Sequence, residues 1–219
     1  MIHTKKQQTI VSKDMIFRAV KAGNLSFLDF IRKDKSDLKV VDEDGNNILH
    51  IATMYGQIPA IKKAIDEYGI DINSKNFYGL DALKIAIVYD QKEAFKFLLN
   101  KGINPFLKDG YGNTNIHVAS HFNGATPNED KTFLELLFEY SKNYAKLVNS
   151  RNVFGNTPMH SVFNSDELSS GERVTNALTL IENGASILPN NKGETPIDLC
   201  RDPSFIEFLK VYKAPVKVH

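Results

Sequence analysis

An all-α repeat solenoid is the fold class that the sequence predicts, because one short motif recurs along the chain and contains a helix start. Five segments align on a glycine, at Gly45, Gly79, Gly112, Gly155 and Gly193. These glycines are spaced by 34, 33, 43 and 38 residues. A period of roughly 20–50 residues is typical of stacked repeats, in which neighbouring units bury a core that none could form alone.

The segment GNTPMH at 155–160 shows why a helix should begin inside the motif. Gly155 permits a tight turn. Thr157 is a favourable N-cap residue, and Pro158 suits the first helical position because its missing N–H costs nothing there. Met159 and Val162 then share an apolar helix face. The motif therefore predicts a turn that leads directly into an amphipathic helix.

The aligned segments are DEDGNNILHIA (42–52), NFYGLDALKIA (76–86), DGYGNTNIHVA (109–119), NVFGNTPMHSV (152–162) and NNKGETPIDLC (190–200). They resemble the G-x-T-P-L-H-x-A signature of the ankyrin repeats, whose period is about 33 residues. Second halves such as FLLNKGINPFLKD (97–109) resemble the LLLxxGAdvNxxd ending of that family. The resemblance implies an ankyrin-repeat solenoid, with a helix-turn-helix and a β-hairpin loop in each repeat.

One ankyrin-repeat domain over 14–213 is expected, between flexible tails at 1–13 and 214–219. Its parts are an N-terminal cap at 14–41, repeats at 42–75, 76–108, 109–151 and 152–189, and a C-terminal cap at 190–213. Helical spacing predicts that Phe27, Phe30 and Ile31 face the core in the first cap, and Phe205, Phe208 and Leu209 in the second. Such caps cover the apolar faces of the terminal repeats.

Two repeats are longer than the period. The extra residues of the third repeat lie at 123–130, between its helices, and at 139–150, after its second helix. Those of the fourth lie at 164–172, again between helices. The inter-helix insertions are rich in turn formers and acidic residues, which predicts exposed loops. Tolerated length variation and a role in binding both remain open for them.

Composition excludes several classes of function. The chain has 219 residues, 42% of them hydrophobic, with 27 basic and 26 acidic side chains, so no electrostatic footprint for nucleic acid or an anionic membrane is visible. Cys200 is the single cysteine and permits no disulfide framework. No run of roughly 18 apolar residues is present. A monomer kept in a cytoplasm is expected, with no nucleic-acid or membrane partner.

The recurring histidines are candidate metal ligands, but the sequence favours a structural role for them. His50, His117 and His160 occupy one motif position in different repeats, and Lys84 and Asp198 replace them elsewhere. The resemblance implies successive layers that hold these side chains too far apart to share a zinc ion, whose ligand distances are about 2.0–2.1 Å. The resemblance implies that each histidine bonds backbone near the hairpin. We expect no metal, cofactor or catalytic residue, since phosphate loops and nucleophile elbows are also missing.

Aromatic residues form two columns that indicate a binding surface. The first column consists of the residues directly before the repeat glycines, which are Asp44, Tyr78, Tyr111, Phe154 and Lys192. The second column consists of the residues near the ends of the first helices, which are Tyr55, Tyr89, Phe122 and Ser165. The resemblance implies that both columns lie along the concave side, where ankyrin proteins hold partners. The predicted partner-binding residues are Tyr55, Phe77, Tyr78, Tyr89, Tyr111, Phe122 and Phe154. The alternative is that individual rings pack on the next layer.

The expected function is protein–protein recognition without catalysis, through the concave face and the hairpin tips. Aromatic side chains are common anchors of protein interfaces. A second hypothesis is a host-directed effector of an intracellular bacterium, which a specialised secretion system would deliver to sequester or recruit a host protein. The richness in Lys, Asn and Ile, which is typical of AT-rich genomes, favours that alternative. An enzyme with an unrecognised site is the third class.

Overall fold

Helices follow one another in pairs along the chain, and a turn precedes most pairs. The structure is a computed structural model that describes residues 11–33, 38–122, 131–140 and 142–211. The helices are α1 (Lys13–Lys21), α2 (Leu25–Lys33), α3 (Ile48–Met54), α4 (Ile58–Asp66), α5 (Ala82–Val88), α6 (Lys92–Asn100), α7 (Asn115–His121), α8 (Phe133–Tyr140), α9 (Pro158–Phe163), α10 (Ser170–Glu182), α11 (Pro196–Leu199) and α12 (Pro203–Val211). A 3₁₀ helix, Lys142–Leu147, lies between α8 and α9.

The pairs stack in sequence order. The first helices form one layer, since α1 packs on α3, α3 on α5, α5 on α7, α7 on α9 and α9 on α11. The second helices form another layer, in which α4 packs on α6, α6 on α8 and α8 on α10. This arrangement is the predicted all-α repeat solenoid. None of the helices in the described ranges has both the length and the apolar character that a membrane span requires.

The first helices begin where the motif predicts. Thr157 is the N-cap residue of α9, and Pro158 occupies its first turn. Thr195 and Pro196 repeat this arrangement at α11. The turn before α9 needs glycine, because Gly155 has a φ of 75° and a Cβ there would lie 2.2 Å from Oδ1 of Asn191. The close approach of the next turn therefore fixes glycine at this position.

The predicted hairpins are tight turns rather than paired strands. In the first turn, the N–H of Asp42 donates to the carbonyl of Asn46 at 3.0 Å, and that of Gly45 to Asp42 at 3.2 Å. Where the structure describes the chain, β pairing is limited to one isolated antiparallel bridge, between Lys75 and Asp81. The hairpins thus project from the helices as short turns.

The end caps form as helix pairs, but each prediction of their inward faces was wrong for one phenylalanine. In α2, Leu28 and Ile31 take the core face while Phe30 is 52% exposed. In α12, Phe205 and Leu209 are buried while Phe208 is 43% exposed. The ring of Phe208 stacks on that of Phe205 with centroids 5.4 Å apart. Each cap therefore keeps one large apolar side chain in contact with solvent.

The insertions differ from the expected loops. The predicted loop at 123–130 and the predicted tails, apart from 11–13, lie outside the described residues. The extension after α8 forms the 3₁₀ helix, and its Tyr144 is fully buried in the core. In the fourth repeat, Ser165 and Leu168 are buried and α10 already begins at Ser170. The prediction of an exposed loop over 164–172 is therefore wrong at these positions, because a buried serine and leucine hold the connection against the core.

Candidate protein-binding surface

The recurring histidines join adjacent repeats. His117 accepts the N–H of Thr114 at Nδ1 (3.2 Å), and its Nε2 lies 3.0 Å from the carbonyl oxygen of Asn156 in the next turn. His160 has the same environment, between Thr157 and the carbonyl of Glu194. An accepting Nδ1 leaves the proton on Nε2, which donates to the neighbouring repeat. The implied bond to hairpin backbone is therefore present.

Burial determines the protonation of these histidines. It lowers the pKa of His117 to about 4 because the charged ring would lose its hydration. Burial also lowers the pKa of His50 and that of His160. His50 reaches the carbonyl of Ser74 at 3.1 Å. Among the described residues, no three His, Cys, Asp or Glu side chains are grouped so as to hold a metal ion.

Lys84 replaces the histidine in the second repeat and makes an equivalent bridge. Its Nζ donates to the carbonyl of Leu107 at 2.8 Å and to Oδ2 of Asp81 at 2.6 Å. Both side chains of this ion pair are fully buried. Asp81 is also the N-cap of α5, since its Oδ1 accepts the N–H groups of Leu83 and Lys84. Burial lowers the pKa of Lys84, although the adjacent carboxylate opposes that shift.

Five side chains stand at the tips of successive turns, and we call them the tip row: Asp44, Tyr78, Tyr111, Phe154 and Lys192. All five are exposed. The exposed fraction is 59% for Tyr78, 61% for Tyr111 and 56% for Phe154. Phe77, beside the row, is 75% exposed. Three consecutive repeats therefore present aromatic rings to solvent at equivalent positions.

Backbone hydrogen bonds connect the tip row from one turn to the next. The carbonyl oxygen of each of the first four tip residues accepts an N–H from the following turn. The pairs are Phe77 to Asp44 (2.9 Å), Gly110 to Tyr78 (3.0 Å), Val153 to Tyr111 (2.9 Å) and Asn191 to Phe154 (3.0 Å). The backbone beneath the rings is thus held in one arrangement by hydrogen bonds between the turns.

Side-chain contacts also connect neighbouring residues of the tip row. The rings of Tyr111 and Phe154 stack with centroids 6.3 Å apart and an interplanar angle of 27°. The hydroxyl of Tyr78 donates to Oδ1 of Asp44 at 3.1 Å. That hydrogen bond raises the pKa of Tyr78, because it stabilises the protonated phenol. Two neighbouring pairs of the row, Asp44 with Tyr78 and Tyr111 with Phe154, therefore have side chains in contact, and all four residues remain exposed.

The second aromatic column is less uniform. Tyr55 and Tyr89 end α3 and α5 with ψ angles of 10° and 12°, and both are exposed. Lys21 lies over the ring of Tyr55, with Nζ 5.4 Å from the centroid. Phe122 ends α7 with a ψ of 136° and is partly buried against the core. The chain becomes extended at Phe122, so this ring offers less surface than the two tyrosines.

The sequence alone does not reveal the side-chain amides that also connect the turns. Nδ2 of Asn76 donates to Asn46 Oδ1 at 2.9 Å, and Nδ2 of Asn152 donates to Asn113 Oδ1 at 2.8 Å. Nδ2 of Asn190 makes the same bond to Asn156 at 2.9 Å. Each asparagine also fits a turn, where this residue type is common for local reasons alone. The recurrence of Asn within the aligned segments is the one feature of the sequence that indicates these bonds between turns.

Two cavities border the ends of the row. One of about 390 Å³ lies between α1 and the first turn, with Arg18 and Lys21 facing Glu43 and Asp44. The other, of about 360 Å³, lies at the last two turns and is lined by Phe154, Asn164 and Lys192 among others. A concave region therefore borders the tip row at each end.

Comparisons with known proteins agree with this architecture. Residues 16–109 match the family model for ankyrin repeats in three copies. The nuclear factor NF-kappa-B p105 subunit of Gallus gallus is 28% identical over 135 residues, which are 59% of this chain and only 13% of that relative. The chain thus spans a small fraction of that larger protein.

Two further similarities extend over most of the chain. The putative ankyrin repeat protein YahD of Escherichia coli K12 is 26% identical over 180 residues, which cover 80% of this chain and 82% of that protein. A chain in the solved complex of the Bd0816 predatory endopeptidase from Bdellovibrio bacteriovorus with immunity protein Bd3460 has the same fold. Its TM-score is 0.67 at 24% identity, over 91% of this chain and 94% of that one. With the repeated helix pairs and the matched family model, residues 16–109 are ankyrin repeats, and the same stacking of helices continues to α11.

Proposed function

We propose that this chain binds another protein through the aromatic side chains of the tip row, with Tyr55 and Tyr89 beside them, and carries out no catalysis. Ankyrin repeats generally mediate protein–protein interaction. The proposal assigns that general role to named residues. Phe77 extends the surface at the second turn, and Phe122 contributes only an edge because it is partly buried.

One observation carries the proposal, namely that three consecutive repeats expose rings on a hydrogen-bonded backbone. Tyr78, Tyr111 and Phe154 are each more than half exposed, although the core is already filled by Leu, Ile and Ala side chains. Aromatic residues are enriched at interface centres because they bury a large area and lose few rotamers. A contiguous exposed apolar surface is a sign of an interaction site.

Differential capture from a lysate of the source organism tests the proposal. The parent chain is compared with a row variant that carries Tyr78→Ser, Tyr111→Ser and Phe154→Ser. The matched control carries Phe30→Ser and Phe106→Ser, which remove exposed rings outside the row (52% and 45% exposed). We expect a protein that the parent and the control retain and the row variant loses. If every captured protein remains on a folded row variant, the proposed surface is wrong.

The host-directed form of the proposal uses the same surface, and the bound protein would then belong to a host cell. Capture from a host lysate with the same three variants tests that form. A host protein that depends on the row would support it, and capture only from the source organism would contradict it.

A further inference from the structure

The two ends of the tip row carry opposite charges. Asp44 occupies the first tip, with the exposed Glu43 beside it, and Lys192 occupies the last. The three positions between them are the rings of Tyr78, Tyr111 and Phe154. The row therefore runs from an acidic end through an aromatic centre to a basic end.

Cations lie near the acidic end of the row, but no ion pair of Asp44 is present in the part of the chain that the structure describes. Lys13, Arg18 and Lys21 line the cavity beside Asp44, whose carboxylate accepts the hydroxyl of Tyr78. At the other end, Glu194 accepts the side-chain amide of Asn190 at 3.0 Å. No ion pair of Lys192 is present among the residues that the structure describes.

We propose that the tip row binds a partner segment that has apolar side chains at its centre, a basic residue at the end that meets Asp44 and an acidic residue at the end that meets Lys192. This inference rests on the proposed function and specifies the chemistry and the orientation of the partner. Complementary charges steer association and fix the register of a complex, whereas like charges in contact exclude wrong partners.

The row also limits the length of the segment. Packed helices lie about 8–10 Å apart, so four repeat steps span roughly 32–40 Å. An extended chain rises about 3.3 Å per residue and would cover the row with roughly 10–12 residues. The basic and acidic residues of the partner should therefore be separated by about that number of positions.

A library of random phage-displayed peptides of about 16 residues, longer than the row requires, is the probe. It is selected on the parent chain and on a swap variant with Asp44→Lys and Lys192→Glu. The matched control, with Lys62→Glu and Glu93→Lys on α4 and α6, makes the same change in charge on the second helices. All three chains are compared by thermal melts, and the selected peptides are synthesised and titrated.

We expect the parent to enrich peptides with an apolar centre and opposite charges at their ends. Replacing an attraction by a repulsion at both ends should weaken their binding to the swap variant by about tenfold or more at low salt, and less at high salt. The control should bind as the parent does.

Three outcomes would overturn the inference: no peptide is enriched, the enriched peptides lack opposite end charges, or they bind the swap variant as tightly as the parent. The experiment distinguishes a failure of this inference from a failure of the proposed function. Peptides that lose binding on Tyr111→Ser but ignore the charge swap would leave the proposed function standing. Peptides that bind regardless of both changes would contradict the proposed function as well.

Discussion

At the scale of single residues, buried polar side chains connect each repeat to the next. His117 receives one hydrogen bond from its own helix start and makes another to Asn156 of the following turn. Lys84 achieves the same connection with an ammonium group and needs the buried carboxylate of Asp81 beside it. The same motif position therefore stabilises the stack either with a neutral ring or with a buried ion pair.

The neutral histidines predict a loss of stability in mild acid. The pKa of His117 is about 4 in the folded chain, against about 6.5 in the unfolded one. The unfolded state therefore binds more protons as the pH falls below 6.5, and the free energy of unfolding decreases until the pH passes about 4. His117 alone should remove about 2 kcal/mol between pH 7 and pH 5. Urea melts at both values measure this, and His117→Gln should show a smaller decrease. An equal decrease in both proteins would contradict the assignment.

Lys84 and Asp81 give a second prediction at this scale. Lys84→Met leaves the carboxylate of Asp81 buried without its cation and should cost about 3–5 kcal/mol. The double variant with Asp81→Thr and Lys84→His should recover most of that loss, because it recreates the Thr–His pair of Thr114 and His117. Urea melts of both variants test this. A double variant no more stable than Lys84→Met would show that the two kinds of bridge are not interchangeable.

At the scale of secondary-structure elements, α5 couples two interfaces, since it packs on α3 and on α7. Leu83 of this helix is fully buried, so Leu83→Asp should place an unpaired charge among apolar neighbours and cost several kcal/mol, on the order of 3–5. Val88→Asp, on the same helix but 41% exposed, is the matched control and should have little effect. If the urea melts of the parent and of Leu83→Asp coincide, the register assigned to the repeats is wrong.

The helices were predictable from the sequence to the extent that local signals determine them. The Thr-Pro starts of α9 and α11 follow from capping chemistry, and the aromatic tips at Tyr78 and Tyr111 follow from the alignment on glycine. The burial of Tyr144 and Leu168 did not follow, because their segments lie outside the repeat and only tertiary packing decides which side chains turn inward. The predicted burial of Phe30 and Phe208 was wrong for a similar reason. Helical spacing shows which residues lie near one face of a helix, but it does not determine which residue at the edge of that face is buried.

The exposed rings of the candidate surface were predictable from the sequence as a set, but not as an ordered row. The sequence shows which residues precede each glycine, whereas the bonds from Phe77 to Asp44 and from Val153 to Tyr111 depend on how closely the turns stack. Phe122 differs from Tyr55 and Tyr89 because its own backbone is extended, with a ψ of 136°, at the end of α7. The domain boundaries and the partner-binding roles stay predictions.

At the scale of the whole molecule, stability comes from contacts between neighbouring repeats. Ion pairs join consecutive second helices, as between Lys63 and Asp29 and between Lys101 and Asp66, while histidines, amides and turn backbone join the other layer. The molecule should therefore hold its fold without a metal ion. Dialysis against a chelator should leave the melting temperature unchanged, and a stoichiometric transition metal in the purified protein would contradict the structural role of His50, His117 and His160.

The central claim is that the exposed rings serve binding and not folding. Its most direct test is a pair of titrations, Tyr89→Ala and Tyr111→Ala against the protein captured by the parent chain, with thermal melts of each variant. Truncating a ring at the centre of an interface costs about 2 kcal/mol or more, which is about thirtyfold in affinity. We predict weaker binding of that size with unchanged melting temperatures. Unchanged affinity in both variants would place the binding surface elsewhere on the molecule, and a lost fold would assign the rings to the core.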